Sequence, residues 1–146
     1  MKSTFQQAVL ILGIALIAAL VTAFVHPKRP PWFEVSDPVE ERWNLSVEGA
    51  RKIVAENDQI LWVDARDSSL YKERHFPEAI SLNTDEWGDL MFQNMDTLQA
   101  AMGNPVIVYC DGSACDKSRE VALRLRELLG MDPVYVLKGD WKKVRL

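Results

Sequence analysis

The sequence is short of cysteine and histidine, and this scarcity excludes several classes of protein. Its 146 residues include two cysteines and two histidines. Two cysteines are too few for the disulfide framework of a small secreted domain. The histidines, His26 and His75, are far apart in sequence, so we expect no zinc site, and nothing implies an organic cofactor. The formal net charge of -4 argues against nucleic acid as a partner.

Charged side chains are almost absent from the first 25 residues, where Lys2 is the only one. Residues 8–25 are apolar or small apart from Thr22, and a helix rising about 1.5 Å per residue over such a stretch spans the hydrocarbon of a bilayer. We therefore predict a single-pass N-terminal transmembrane anchor at residues 1–25. A cleaved signal, which would give a secreted protein, is the alternative.

The next segment is rich in proline, with three prolines within residues 27–31. This composition predicts an extended spacer at residues 26–36, followed by one globular domain at residues 37–146. Basic residues flank the apolar run on both sides, so the side of the membrane on which the domain lies stays open. Anchoring would favour a membrane or envelope protein as a partner.

Within the domain, short apolar runs alternate with stretches of helical periodicity. Runs without polar alternation occur at 60–63, 79–82, 105–109 and 134–137, as is typical of strands covered on both faces. Helices are predicted from Ser46 to about Glu56, over Ser68–Glu73, from Asn83 to Met102, and from Arg119 to Leu129 with Gly130 ending the last one. The alternation predicts an α/β fold with a mainly parallel sheet flanked by helices.

Cys110 lies where the run at 105–109 ends and a loop leads to a helix. The loop comprises Asp111, Gly112, Ser113, Ala114, Cys115, Asp116 and Lys117. Inward-pointing backbone N–H groups and the positive end of the next helix suit such a loop to holding a thiolate or a bound anion. From position alone, a buried structural cysteine explains Cys110 as well as a nucleophile does.

Four segments, taken in order, resemble the landmarks of a rhodanese-like domain. They are Val63-Asp64-Ala65-Arg66, Tyr71 to Ala79, Val108-Tyr109-Cys110, and Leu137 to Trp141. The resemblance implies a compact domain whose loop cysteine, here Cys110, takes sulfane sulfur from a small donor. The resulting persulfide passes its sulfur to a thiol or other nucleophilic acceptor. It also implies that Asp64 and Arg66 form a structural pair beneath the loop.

The sequence departs from the family pattern in its turn and its loop. Arg74 and Glu78 stand where the family more usually has glycine, so the turn is open to local change. Lys117 stands near where an arginine is common, which removes bidentate phosphate binding and argues against phosphatase activity. His75 is either a general base or, as we favour, a structural histidine bonded to the backbone near the site.

Cys115 leaves the chemistry of the loop open. It could serve as a resolving thiol that forms a disulfide with Cys110, or it could be a small side chain packed under the loop. Asp111 and Asp116 would repel anionic donors, although Asp116 is also placed to cap the helix. The alternative to sulfur transfer is a non-catalytic interaction or redox-sensing module that uses Cys110 and Cys115.

Overall fold

The computed structural model describes residues 2–25, 41–112 and 116–144, with side chains described for residues 6–17 of the first range. The chain divides into two compact units, Met1–Ser36 and Asp37–Leu146. Helix α1 spans Lys2–Val25 in the first unit. No helix among the described residues is long and apolar enough to cross a membrane. The anchor therefore has no support from the structure and stays a prediction, and the spacer at 26–36 lies outside the described residues.

In the described part of the second unit, five strands form one sheet in the order β1-β5-β4-β2-β3, and every neighbouring pair is parallel. The strands are β1 (Asn44–Ser46), β2 (Leu61–Asp64), β3 (Ile80–Ser81), β4 (Val106–Tyr109) and β5 (Val134–Lys138). All residues of β2 and β4 are buried, as expected for apolar strands in the middle of a sheet with both faces covered. The predicted α/β fold with a parallel sheet is confirmed.

Helices cover the sheet. They are α2 (Val47–Glu56), α3 (Ser68–Glu73), α4 (Trp87–Gln93), α5 (Met95–Ala100) and α6 (Asp116–Leu129), followed by a short 3-10 helix at Trp141–Lys143. The Ser46 hydroxyl caps α2 by accepting a hydrogen bond from the Gly49 N–H at 3.0 Å. Gly130 follows α6 with a φ of 67°, the left-handed conformation that favours glycine at this position.

Side chains of β4 alternate between two hydrophobic clusters, because successive residues of a strand point to opposite faces. Val106, Val108 and Cys110 belong to one cluster, which also includes buried residues of α6. Ile107 and Tyr109 belong to the other, together with Phe76 and Trp141. The candidate nucleophile therefore lies on one face of the sheet, and its neighbour Tyr109 lies on the opposite face.

Two sequence predictions about elements were wrong. The single helix expected from Asn83 to Met102 is two helices that meet at Asn94. The Asn94 amide nitrogen donates to the Leu90 carbonyl at 2.8 Å and to the Ser81 carbonyl at 3.3 Å, which ties the end of α4 to the edge of the sheet. Helix α6 begins at Asp116, earlier than the expected Arg119.

Candidate active site around Cys110

Cys110 directly follows β4 at the carboxyl end of the sheet, where parallel α/β folds place their ligands. Cys110 is buried, with 2% of its surface exposed. Cys110 is disulfide-bonded, and none of the cysteines in the described part of the chain is free. Cys115, the only other cysteine of the sequence, lies outside the described residues with Ser113 and Ala114.

Asp64 and Arg66 form a buried ion pair at the end of β2, next to β4. The Arg66 Nε atom donates to Asp64 Oδ1 at 2.9 Å, and its terminal nitrogen Nη2 donates to Asp64 Oδ2 at 2.6 Å. Asp64 is 0% exposed and Arg66 6% exposed. The hydrogen bond that Arg66 donates to Asp64 raises the pKa of Arg66, so the guanidinium keeps its charge despite burial. The pair that the resemblance implied is thus present.

Arg66 also connects three separate segments around the site. Its Nη2 atom donates to the Arg74 carbonyl at 2.5 Å, and Nη1 approaches Asp111 Oδ1 at 3.4 Å. The guanidinium carbon lies 5.0 Å from the centroid of the Trp141 ring. The buried Arg66 guanidinium therefore contacts three parts of the site. They are the turn at Arg74, the Asp111 carboxylate that follows Cys110, and the Trp141 ring that closes the core.

Tyr109, the last residue of β4, completes this hydrogen-bond network. Its hydroxyl donates to Asp64 Oδ2 at 3.0 Å and accepts from the Phe76 N–H at 2.9 Å. Burial raises the pKa of Tyr109, so the phenol stays protonated and remains a donor. This role of Tyr109 was not predicted from the sequence. The signal was available, because a tyrosine inside an otherwise apolar buried strand needs a partner for its hydroxyl.

His75 is anchored to the backbone. Its Nδ1 atom lies 2.8 Å from the Tyr71 carbonyl, which can only accept, so Nδ1 carries the hydrogen of this bond. The imidazole also stacks on the Tyr71 ring, with the centroids 4.0 Å apart. This geometry favours the structural interpretation of His75 and leaves Nε2 as the nitrogen that a ligand could meet.

The turn that departs from the family pattern keeps a backbone conformation suited to glycine at one of the two substituted positions. Glu78 has a φ of 61°, in the left-handed region that side chains other than glycine rarely adopt. Arg74 has a φ of -166°, which is extended backbone open to any residue. Of the two substitutions, only Glu78 places strain on the turn.

Lys117 is shared between two carboxylates from other segments. Its Nζ atom lies 2.5 Å from Asp67 Oδ1 and 3.4 Å from Asp85 Oδ2. The hydrogen bond to Asp67 raises the pKa of Lys117. These partners are 50 and 32 residues away in sequence, and no local pattern connects them to the loop. The expected anion-binding base is therefore already ion-paired.

Asp111, Gly112 and Asp116 are the remaining loop residues in the described ranges. Asp111 is half-exposed, and its Oδ1 atom approaches both Arg66 and the Trp141 indole nitrogen at 3.4 Å. Gly112 has a φ of 106°, a left-handed value at which its lack of a side chain permits the turn. Asp116 is the first residue of α6. Across residues 41–112 and 116–144, no group of three His, Cys, Asp or Glu side chains could hold a metal ion.

A model of the Rhodanese-like domain family matches residues 46–146, from the cap of α2 through Cys110 to the end of the chain. The chain belongs to the rhodanese-like family. The chain is also similar to a solved structure, that of the BH2092 protein from Bacillus halodurans. This protein is 25% identical, with a TM-score of 0.55 over 73% of this chain and 74% of that one.

A second structural match is the N-terminal domain of a protein from Clostridium difficile 630 that is named for ATP/GTP binding. It is 20% identical, with a TM-score of 0.44 over 68% of this chain and 94% of that one, and it supports no inference about this chain. No curated protein matches the sequence. Membership of the rhodanese-like family supports a sulfurtransferase-type or related activity.

Proposed function

We propose that this protein carries sulfane sulfur as a persulfide on Cys110 and passes it to a thiol or another nucleophilic acceptor. The observation that carries the proposal is the position of Cys110 in a rhodanese-like domain, between the carboxyl end of β4 and the first turn of α6. At this position backbone amides of the loop and the dipole of α6 would favour the thiolate over the thiol.

The proposed reaction has two displacement steps. In the first, the Cys110 thiolate attacks the outer sulfur of a donor persulfide. The donor's S–S bond breaks, a new S–S bond forms on Cys110, and the donor leaves as a thiolate; with thiosulfate the leaving group is sulfite. In the second, an acceptor thiolate attacks the outer sulfur on Cys110 and takes it, which returns Cys110 as a thiolate. The loop amides stabilise the negative charge in both steps.

The disulfide at Cys110 sets a condition on this cycle, because a disulfide sulfur is not a free nucleophile. We propose Cys115, the other cysteine of the sequence, as its partner. Two equivalents of a small thiol would then reduce the pair and become oxidised to their own disulfide. The same observation favours the second candidate function, a redox-sensing module in which the two cysteines cycle between dithiol and disulfide without sulfur turnover.

Intact-mass spectrometry of the reduced full-length chain distinguishes the two functions. Sulfur transfer predicts that thiosulfate or a small persulfide adds about 32 Da, the mass of one sulfur atom, and that added thiol removes it. Cys110→Ala should abolish the gain, whereas Cys115→Ser should keep it if Cys115 only protects Cys110. A sulfinic acid has a similar mass, but thiols do not reverse it. If neither donor adds mass and oxidation only removes two hydrogens, the redox module is correct.

We also propose that residues 1–25 attach the domain to a membrane, close to a membrane or envelope partner. The support for this proposal is the near absence of charge in this apolar stretch. Resistance to alkaline carbonate extraction, together with an intact N-terminus by mass spectrometry, is the expected result. A mature chain that begins after the apolar stretch would instead establish a cleaved signal and a secreted protein.

A further inference from the structure

A concave surface with basic walls lies close to Asp111, the residue after Cys110. This groove has a volume of about 350 Å³, and its lining includes Arg74, His75, Phe76, Trp141 and Lys142. We call it the basic groove. Phe76 and Trp141 form its buried walls and are 3% and 4% exposed. Because they are packed in the core, their aromatic rings are held in place.

The cationic side chains of the basic groove are available to a ligand. Within the described ranges, neither the Arg74 guanidinium nor the Lys142 ammonium is paired with a carboxylate. Lys142 Nζ instead lies 5.6 Å from the centroid of the Trp141 ring. The Nδ1 atom of His75 is hydrogen-bonded to the Tyr71 carbonyl, which leaves Nε2 for other contacts. Two unpaired cations in one concavity of a net acidic chain suit an anionic ligand.

Two residues, Trp141 and Arg66, connect the basic groove to Asp111, the residue after Cys110. Trp141 lines the groove, and its indole nitrogen approaches Asp111 Oδ1 at 3.4 Å. Arg66 contacts the same carboxylate and also donates to the carbonyl of Arg74. A ligand in the groove would therefore lie one side-chain layer from the residue that follows Cys110.

The bases at the loop itself are already shared between carboxylates. Arg66 lies between Asp64 and Asp111, and Lys117 lies between Asp67 and Asp85. A small dianion such as thiosulfate carries its charge next to the sulfur it transfers, so it would meet these compensated cations. The groove walls Phe76 and Trp141 belong to the cluster on the face of the sheet opposite Cys110, so a ligand that reaches Cys110 must pass Asp111 at the carboxyl end of β4. A longer organic molecule that passes Asp111 could place its sulfur at Cys110 and its negative charge at Arg74 and Lys142.

We infer that the basic groove binds the carboxylate end of an organic thiol or persulfide whose sulfur reacts at Cys110. This inference rests on the proposed sulfur transfer for its substrate and on the basic groove for its selectivity. Each contact of a Lys or Arg side chain with a carboxylate in a partly buried groove is a charge-assisted hydrogen bond. Replacing the carboxylate by an amide removes the negative charge and so weakens that hydrogen bond.

Binding is tested first, without any transfer. The probe is N-acetyl-S-methylcysteinylglycine, a thioether with one carboxylate, and its matched control is the C-terminal amide. We expect the full-length chain to bind the acid at least about tenfold more tightly than the amide in calorimetry, as loss of a charge-assisted contact predicts. The indole N–H resonance of Trp141 should shift with the acid. Equal affinity for the two probes would overturn the inference.

Variants identify the residues responsible. Arg74→Gln with Lys142→Gln should bring the acid-to-amide affinity ratio close to one, and the Arg74 carbonyl that Arg66 uses is retained. Lys143→Gln, a neighbouring exposed change outside the groove lining, should keep the ratio. A ratio that survives the double variant would contradict the assignment. The wild-type comparison needs no variant, so a misfolded variant would not leave the inference untested.

Transfer is then measured with the unmethylated pair, N-acetylcysteinylglycine and its amide, as acceptors of sulfur from Cys110. Selectivity for the acid should appear in kcat/KM and disappear in the double variant. If the acid binds selectively but Cys110 never gains sulfur, the proposed function fails and the groove stands as an anion site. If Cys110 gains sulfur but both probes bind and react equally, the groove inference alone fails.

Discussion

The hydroxyl of Tyr109 donates to the buried carboxylate of Asp64 at 3.0 Å, and the same two residues are paired in register across β2 and β4. The two central strands are thus joined by a side-chain hydrogen bond as well as by their backbone ladder. Because Asp64 also holds Arg66, the phenol of Tyr109 supports the cation that contacts the residue after Cys110.

Tyr109→Phe should lower the free energy of unfolding by about 1–3 kcal/mol, because the Asp64 carboxylate and the Phe76 N–H each lose a buried partner. Urea titration at neutral pH measures this loss. Phe92→Ala is a suitable control, since Phe92 is a highly exposed aromatic residue. A Tyr109→Phe loss no larger than that of Phe92→Ala would contradict the role given to the hydroxyl.

The pH dependence of stability gives a second test of Tyr109. Burial raises its pKa above the ordinary value of 10.0 in the folded state, so above that pH the unfolded chain loses its phenolic proton first. Stability from this group is full below pH 10 and falls as pH rises. Tyr109→Phe should make the alkaline decline shallower but not abolish it, because burial also raises the pKa of Tyr71. An unchanged slope would contradict the prediction.

Arg66→Met should destabilise the domain by about 3–5 kcal/mol, because it leaves the Asp64 carboxylate buried without its cation. Arg66→Lys should cost less, since it keeps the charge but loses the paired hydrogen bonds. In a double-mutant cycle with Asp64→Asn, the coupling should lie in the range of about 0.5–3 kcal/mol. Additive losses in urea titrations would show that the two residues act independently.

Glu78→Gly should stabilise the domain by about 0.5–1 kcal/mol, because glycine relieves the left-handed strain at a φ of 61° but loses more entropy on folding. The matched control is Arg74→Gly in the same turn. At a φ of -166° there is no strain to relieve, so this change should destabilise by about 0.5–1 kcal/mol. Opposite shifts in the thermal midpoint are expected, and shifts of the same sign would argue against strain at Glu78.

Asp67→Asn with Asp85→Asn should increase the rate at which thiosulfate loads Cys110 several-fold, because it releases the Lys117 ammonium from both carboxylates. Asp89→Asn with Asp96→Asn changes the net charge equally at exposed positions whose carboxylates form no ion pair with Lys117 in the described part of the chain, and it should have a smaller effect. The gain should shrink as salt screens the anion. Equal gains from both variants would assign the effect to net charge alone.

The strands and most helices were predictable from the sequence because each has a strong local pattern. The runs around β2 and β4 are apolar throughout, and Ser46 and Gly130 mark helix ends. β1 escaped prediction because it is three residues long and only partly buried, so its stability comes from pairing with β5.

The candidate site was predictable only where its chemistry is local or the family resemblance supplied it. Cys110 and the pair of Asp64 and Arg66 belong to these cases. The partners of Lys117 come from segments far away in sequence, and the long side chain could have pointed elsewhere. The basic groove likewise brings Arg74 to Lys142 through folding, which no spacing in the sequence indicates.

The parallel pairing of β1 with β5 determines how the domain would respond to mechanical tension. These are the first and last strands of the sheet in chain order, so the segment that leads into the domain and the segment that leaves it depart from opposite ends of one ladder. Tension between them pulls along the ladder, as shear, and loads its hydrogen bonds together rather than one after another. The Trp43 carbonyl, which accepts from the Val136 N–H at 2.8 Å, is among the first contacts to bear that load.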